Sequence, residues 1–451
     1  MSNEEYEKSS GGNGWVAVLL ALVILVAYVL LQKRCQEQAL GSADGNSVEE
    51  SSSSEKTTAE TVLDEIAEVE ESSEEALATL GIGLATEDPA ELMKQIADGF
   101  AAGDFSKVAE VIGKEGLSEE QVKLLAAMGE ASRNKLNGVN PFQEVGELEI
   151  NRRGRWALNL EEDGKRIFFD LMKGPDGKWS VERVELVPEE KVEEEGGQMV
   201  TQNNLTDSLG ITDAFLRAVL RQDFKAAKSL VTGDKVSDAK IAGLCIIFEE
   251  GQYRMQKKSP LRGLFNRETA AAYLARLEDQ SGAKSAQFGV NLQRADANSP
   301  WRVTEINLDS LLADYANKVS DGDVYFTPLV KNPNGGDTLI LYFDFDKEAL
   351  EKRSERQLEI VISLLALDPE KKIRISGHTD AFGSEDYNRD LSRRRADEVK
   401  RFFINNGVPS SQIVTEAFGK TQPRRPNTTQ SGEDDPDGRR VNRRTEIYLD
   451  F

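Results

Sequence analysis

The stretch 371–407 reads KKIRISGHTDAFGSEDYNRDLSRRRADEVKRFFINNG and holds most of the residues in this chain that could do chemistry. It contains the only histidine, His378, with Asp380 two residues on and the triplet Arg393, Arg394, Arg395 further along. Nucleophilic chemistry through a Ser-His or Cys-His pair would have to use His378, and no GxSxG nucleophile elbow accompanies it. The only cysteines, Cys35 and Cys245, are too far apart in sequence to suggest a metal cluster or a disulfide framework. No cofactor motif and no paired-acid constellation occurs, so the chain is expected not to be an enzyme. What the stretch does offer is a binding set. Asp380 supplies an anion, Arg395 a forked cation, and Asn388 both a donor and an acceptor. Asn388 and Arg395 are seven residues apart, which puts them on nearly the same helix face, about two turns apart. Such a set suits a ligand carrying ammonium and carboxylate groups together. Taken singly, an Asp before a helix is commonly a cap and an arginine run commonly a solvated face. The joint spacing favours function for Asp380 and Arg395, and leaves Arg393 and Arg394 as surface. His378 is expected to fix its loop by hydrogen bonds.

These residues need a scaffold, and the local pattern supplies one. From Thr338 the chain alternates strand, helix, strand, helix, strand, beginning with LILYFDFD. A helix over 348–367 and the strand KIRIS follow. Ser384 is a good N-cap, Glu385 and Asp386 fill the first turn, and Gly407 supplies the stop. Strands joined by helical crossovers should be parallel, and ligands on such sheets bind beyond the carboxyl ends of the strands. Asp346 and Asp380 sit at those ends.

The stretch GHTDxxGSxxYNxxLSxxRAxxV, with YFDFD before it and GRRVNRRTEI after it, resembles the OmpA-like domain. That is the peptidoglycan-binding module of outer-membrane protein A, the peptidoglycan-associated lipoprotein and MotB. The resemblance covers residues 337–451, a quarter of the chain. It implies non-covalent binding of the diaminopimelate of a peptidoglycan stem peptide, with Asp380 and Arg395 as the principal pair. It also implies that Thr379 and Asn388 line the pocket, that Phe345 and Asp346 come from the end of the first strand, and that Arg443 contributes as the first arginine of NRR. Two departures stand out. The loop NTTQSGEDDPDG is longer and more acidic than usual, and Phe382 replaces a small residue at the rim.

The remainder of the 451 residues divides by composition. After an N-terminal tail, 1–14, the run 15–31 is apolar throughout, at the short end for a membrane-spanning helix. Gln32-Lys33-Arg34-Cys35 after it makes a poor cleavage site, so an uncleaved anchor is expected rather than a removed signal. Counting Lys33 and Arg34 against Lys8 favours a cytoplasmic C-terminal side, opposite to the periplasm that the resemblance implies. An uncleaved helix favours the inner membrane over the outer. Residues 32–86 are rich in Ser and Glu and read as an extended, self-repelling tether, with a short helical patch around 62–69. Next come two α+β modules, 87–190 and 204–315, whose sequences run in parallel. Asp104-Phe105 matches Asp223-Phe224, Ser118 matches Ser237, and Trp179 matches Trp301. The offset drifts only from 119 to 122 residues, the mark of a diverged tandem duplication. Helices first and strands afterwards resemble, in pattern, the cystatin-like or nuclear-transport-factor-2-like cone.

The net charge of −23 argues against nucleic acid and against broad adhesion to an anionic membrane surface. The expected protein is therefore multidomain α+β: a single-pass membrane protein of the bacterial envelope, tethering membrane to cell wall from the periplasmic side. The modules would act as spacers or as sites for protein partners. An accessory or stator-like subunit is the alternative, although residues 15–31 hold no Asp, Glu, His, Lys or Arg for proton coupling. An enzyme built on the paired modules is the third.

Overall fold

The computed structural model describes residues 83–113, 135–161, 166–186, 206–282, 284–319, 327–332 and 336–449. All lie in one compact unit, Ser73–Phe451. The expected tail, membrane segment 15–31, nearly all of the tether and Ser118 lie outside the described residues. No helix among the described residues is long and apolar enough to cross a membrane.

The first module opens with helix α1, Pro89–Ala102. Asp88 caps it by accepting from the Ala90 N–H, and Gly103 at φ 69° ends it. Helix α2, Phe105–Ile112, is capped in the same way by Asp104. Four strands follow as an antiparallel meander: β1 (Phe142–Glu149), β2 (Arg153–Asn159), β3 (Arg166–Lys173) and β4 (Trp179–Leu186). Period-two alternation gives β2 and β3 two different faces. Trp156, Leu158, Ile167, Phe169 and Leu171 pack under the apolar stripes of α1 and α2. Ala157 and Phe168 turn the other way and join the core of the second module.

That second module runs α3 (Ser208–Leu220), α4 (Phe224–Ser229), α5 (Asp238–Gly251), β5 (Arg254–Met255), β6 (Leu261–Asn266), β7 (Ala270–Glu278), β8 (Ser285–Gln293), β9 (Arg302–Asn307) and α6 (Asp309–Val319). Strands β6 to β9 also form an antiparallel meander, with β5 pairing to β7. Asp104 and Asp223 are both helix N-caps. Trp179 opens β4, and Trp301 lies just before β9, buried.

Charged residues stitch the parts together. Arg155 on β2 forks onto Asp170 (2.6 and 3.1 Å) and reaches Asp207, the N-cap of α3, at 2.9 Å. Asp207 also accepts from the Gly210 N–H in capping α3, so the first module holds the start of a helix of the second.

The last domain contains β10 (Leu329–Lys331), β11 (Asp337–Tyr342), α7 (Lys352–Leu365), β12 (Ile373–His378), α8 (Glu385–Asn405), β13 (Ile413–Gly419), α9 (Pro436–Asn442) and β14 (Arg444–Tyr448). On α7, Arg353 forks onto Glu250 of α5 (2.9 and 2.8 Å) and joins this domain to the second module. The sheet order is β10-β11-β14-β12-β13. Strands β12 and β13 are parallel, as crossover helices require. The final strand, β14, inserts between β11 and β12 and runs antiparallel to both. Strands β11 and β12 therefore point the same way and end at the same edge, although they never pair. The first helix is shorter than its apolar pattern predicts, because residues 343–351 form a loop in which Asp346 takes φ 55°. Helix α8 lies directly on β12: a Cβ on Gly377 would fall 2.0 Å from the Ser392 carbonyl oxygen. That contact carries residues 388–395 over the strand ends.

Candidate ligand-binding site

At this edge the structure has a cavity of about 160 Å³ lined by Phe345, Asp346, Thr379, Asp380, Asn388, Arg395 and Arg443, together with Phe382, Gly383, Tyr387 and Leu391. All seven residues singled out from the sequence meet here. Three elements deliver six of them: the loop after β11, the loop after β12 and the inner face of α8. Arg443 comes from the junction of α9 and β14.

The polar residues are fixed before any ligand arrives. Asp380 is buried; its Oδ1 accepts from the Phe382 N–H at 3.2 Å, and its Oδ2 from Arg443 Nη1 at 3.1 Å. Thr379 donates its N–H to the Gly419 carbonyl at 2.9 Å, pinning the loop to β13. Asn388 donates through Nδ2 to the carbonyls of Phe382 (2.6 Å) and Ser384 (3.0 Å). Tyr387 donates its hydroxyl to Asp346, which braces the first loop against α8.

Arg395 lines the cavity while already donating to main chain. Its guanidinium does not pair with Asp380; Arg443 does. Instead it is fully buried over the Phe343 ring and donates to three main-chain carbonyls: Lys347 (2.8 Å), His378 (3.2 Å) and Asp344 (3.0 Å). It thus ties the two strand-end loops together and keeps two of its five N–H groups outside those bonds. Burial, followed by the neighbouring Arg443 charge, pushes its pKa down to about 10, still cationic at neutral pH.

The family follows from the segment that builds this cavity. Residues 342–435 match the family model described as the OmpA family. The C-terminal domain is OmpA-like. The chain is 33% identical over 157 residues to photosystem I chlorophyll a apoprotein A2 of Gloeobacter violaceus, a match covering 31% of this chain and 18% of that protein. It is 39% identical over 109 residues to outer membrane protein A of Bordetella avium, covering 24% of this chain and 53% of that one. Among solved structures, the peptidoglycan-associated lipoprotein from Burkholderia pseudomallei aligns at 28% identity and a TM-score of 0.21, over 24% of this chain and 86% of that chain. The chain therefore spans from under a fifth to about half of these curated relatives.

Within the OmpA-like domain, the remaining motif residues separate by environment. His378 is buried and stacks on Phe418, with ring centroids 5.3 Å apart. Neither ring nitrogen has a hydrogen-bond partner, the Glu446 carboxylate standing 3.8 Å from Nε2, so stacking, rather than the expected hydrogen bonds, holds this residue. Burial, aided by the Arg444 charge, drives its pKa down to about 3. Arg393 pairs with Asp390, and Arg394 with Glu348 and Asp390, on the outer face of α8. Phe345 and Phe382 are 60% and 51% exposed and meet edge to face at 6.2 Å, an apolar lip over a charged floor. The acidic loop bears on that lip. Asn427 accepts from the Ala381 N–H at 3.2 Å, and Arg439, paired with Asp434, lies over Phe382 at 4.4 Å.

Tyr387 and Leu391 were missed from the sequence. Their signal was present, since Tyr387, Leu391 and Arg395 recur every four residues on the helix face that carries Asn388.

Proposed function

We propose that the OmpA-like domain grips peptidoglycan by the diaminopimelate side chain of its stem peptide. The observation that carries this is the pairing, in one small cavity, of two carboxylates, Asp346 and Asp380, with two guanidiniums, Arg395 and Arg443. The far end of diaminopimelate bears an ammonium and a carboxylate on one carbon. The ammonium would sit against Asp380, and the carboxylate would take the N–H groups that Arg395 and Arg443 keep outside their internal bonds. Such pairing is a grip without bond making or breaking. The names of relatives, outer membrane protein A and peptidoglycan-associated lipoprotein, support placement in the bacterial envelope.

Residues 15–31 would anchor the chain in a membrane, the inner one by preference, and 32–86 would tether it. The two modules, proposed as a diverged duplication, would hold the domain at a distance from the anchor. Co-sedimentation with purified sacculi tests the grip. Wild type should pellet and Asp380→Asn should stay in solution with unchanged circular dichroism; equal pelleting overturns the site.

A further inference from the structure

The net negative charge of the chain hides a local reversal. Residues 252–267, QYRMQKKSPLRGLFNR, carry five cations and no carboxylate. This segment contains β5 and β6, with Arg254, Lys257, Lys258, Arg262 and Arg267 all exposed. Between the last two cations, Leu264 and Phe265 are 55% and 44% exposed, on a strand whose other apolar end, Leu261, is fully buried. Arg267 lies over the Phe265 ring at 5.4 Å, keeping a cation beside the apolar tip.

Strand β6 runs alongside β1 of the first module, in the same direction. The Ser259 N–H donates to Glu144 at 2.9 Å, a Cβ on Gly146 would fall 2.6 Å from the Leu261 carbonyl oxygen, and one on Gly263 would fall 3.4 Å from that of Glu147. Continuing this register brings the turn after β1, with Ile150 48% exposed, to the end where Leu264 and Phe265 emerge. Arg152 sits in the same turn. The carboxylates nearby are Glu144, Glu147, Glu149, Glu268 and Glu278. Glu147 lies 3.8 Å from Arg262, Glu149 3.6 Å from Arg152 and Glu278 2.9 Å from Arg254; the segment's five cations and Arg152 still outnumber these carboxylates by one, with Lys257 and Lys258 the exposed cations just before β6.

We infer that this end of the paired modules docks on an anionic lipid surface, with Leu264 and Phe265 entering the interface and the surrounding cations meeting headgroup phosphates. A polyanionic segment would use the cations and leave the apolar tip in water. A membrane uses both, which is the composition of an interfacial anchor. The inference rests in part on the proposed anchor at 15–31, because a membrane surface held within reach of the tether raises its effective concentration.

The test uses the full chain carrying Cys35→Ser, so that a probe can be placed by Asn266→Cys; Cys245 is buried and its thiol is pushed up to about 12, mainly by that burial. The chain is mixed with vesicles of phosphatidylcholine alone or with phosphatidylglycerol added, their acyl chains brominated, and flotation and probe quenching are read together. Quenching is expected in anionic vesicles, relieved by high salt, and absent from a control probe placed by Val414→Cys. Neutralising Lys257, Lys258 and Arg267 to Gln should weaken the interaction about five-fold per cation, on the order of 100-fold together. Flotation with both lipids but no quenching at position 266 overturns the patch and leaves the anchor standing. Flotation and quenching with anionic lipid only support the patch and overturn the anchor. No flotation with either overturns both, as quenching equal in both lipids and insensitive to salt overturns the electrostatic patch.

Discussion

Replacing Arg395 with Ala should damage the fold of the OmpA-like domain before it reports on any ligand. The side chain is fully buried and donates to the carbonyls of Asp344, Lys347 and His378. Asp344 and Lys347 are exposed residues, so water can replace the arginine there at roughly 1 kcal/mol each. His378 is buried, and its carbonyl would lose a charged donor with no substitute, at up to about 3 kcal/mol. The total is about 3–5 kcal/mol, a large share of the roughly 5–15 kcal/mol that stabilises a typical domain. Urea denaturation followed by circular dichroism should therefore show a clear fall in midpoint. Hydrogen exchange should accelerate in residues 344–347 more than elsewhere. A variant within about 1 kcal/mol of wild type, with those amides still protected, would refute the tie between the two loops. The three carbonyl bonds make this substitution a test of folding before it is a test of binding. Asp380→Asn is the better probe of binding, because the amide oxygen can still accept from the Phe382 N–H while the charge is removed.

Other consequences are checked more simply. Gly377→Ala would drive a methyl group to 2.0 Å from the Ser392 carbonyl, and should cost about 3 kcal/mol or more in urea denaturation; Gly138→Ala, with open space around it, should cost almost nothing. His378 gives the only imidazole signal in a nuclear magnetic resonance titration of the chain, and it should remain neutral down to about pH 4. Its native pKa of about 3 lies below the unfolded value near 6.5, so the unfolded state binds the proton first as pH falls. The residue's contribution is complete above about pH 6.5 and is lost on acidification, by about 2 kcal/mol at pH 5. His378→Phe should remove that portion of the acid sensitivity, and an unchanged pH profile in this variant would contradict the assignment.

Much of the site was legible because it depends on local spacing. Asn388 and Arg395 share a helix face by periodicity alone, and Ser384 declares where that helix starts. Tertiary pairing was not legible. Nothing in GRRVNRRTEI says that β14 will slot between β11 and β12, since strand-partner choice depends on the whole sheet. Yet that insertion is what brings Arg443 to Asp380 and leaves Arg395 to bind main chain. The burial of His378 was equally hidden, because its stacking partner, Phe418, lies forty residues away on β13. The joining of modules through Arg155 and Arg353 escaped notice for the same reason: their partners Asp207 and Glu250 are distant in sequence.

The central claim is that the cavity recognises an ammonium and a carboxylate on one carbon. Calorimetric titration with two soluble stem peptides, alike except that one carries diaminopimelate and the other lysine, tests it most directly. Lysine supplies the ammonium for Asp380 but no carboxylate for Arg395 and Arg443. The diaminopimelate peptide should bind and the lysine peptide should bind at least ten-fold more weakly, with Asp380→Asn abolishing the difference. Equal binding of both peptides, or full binding by Asp380→Asn, would contradict the account.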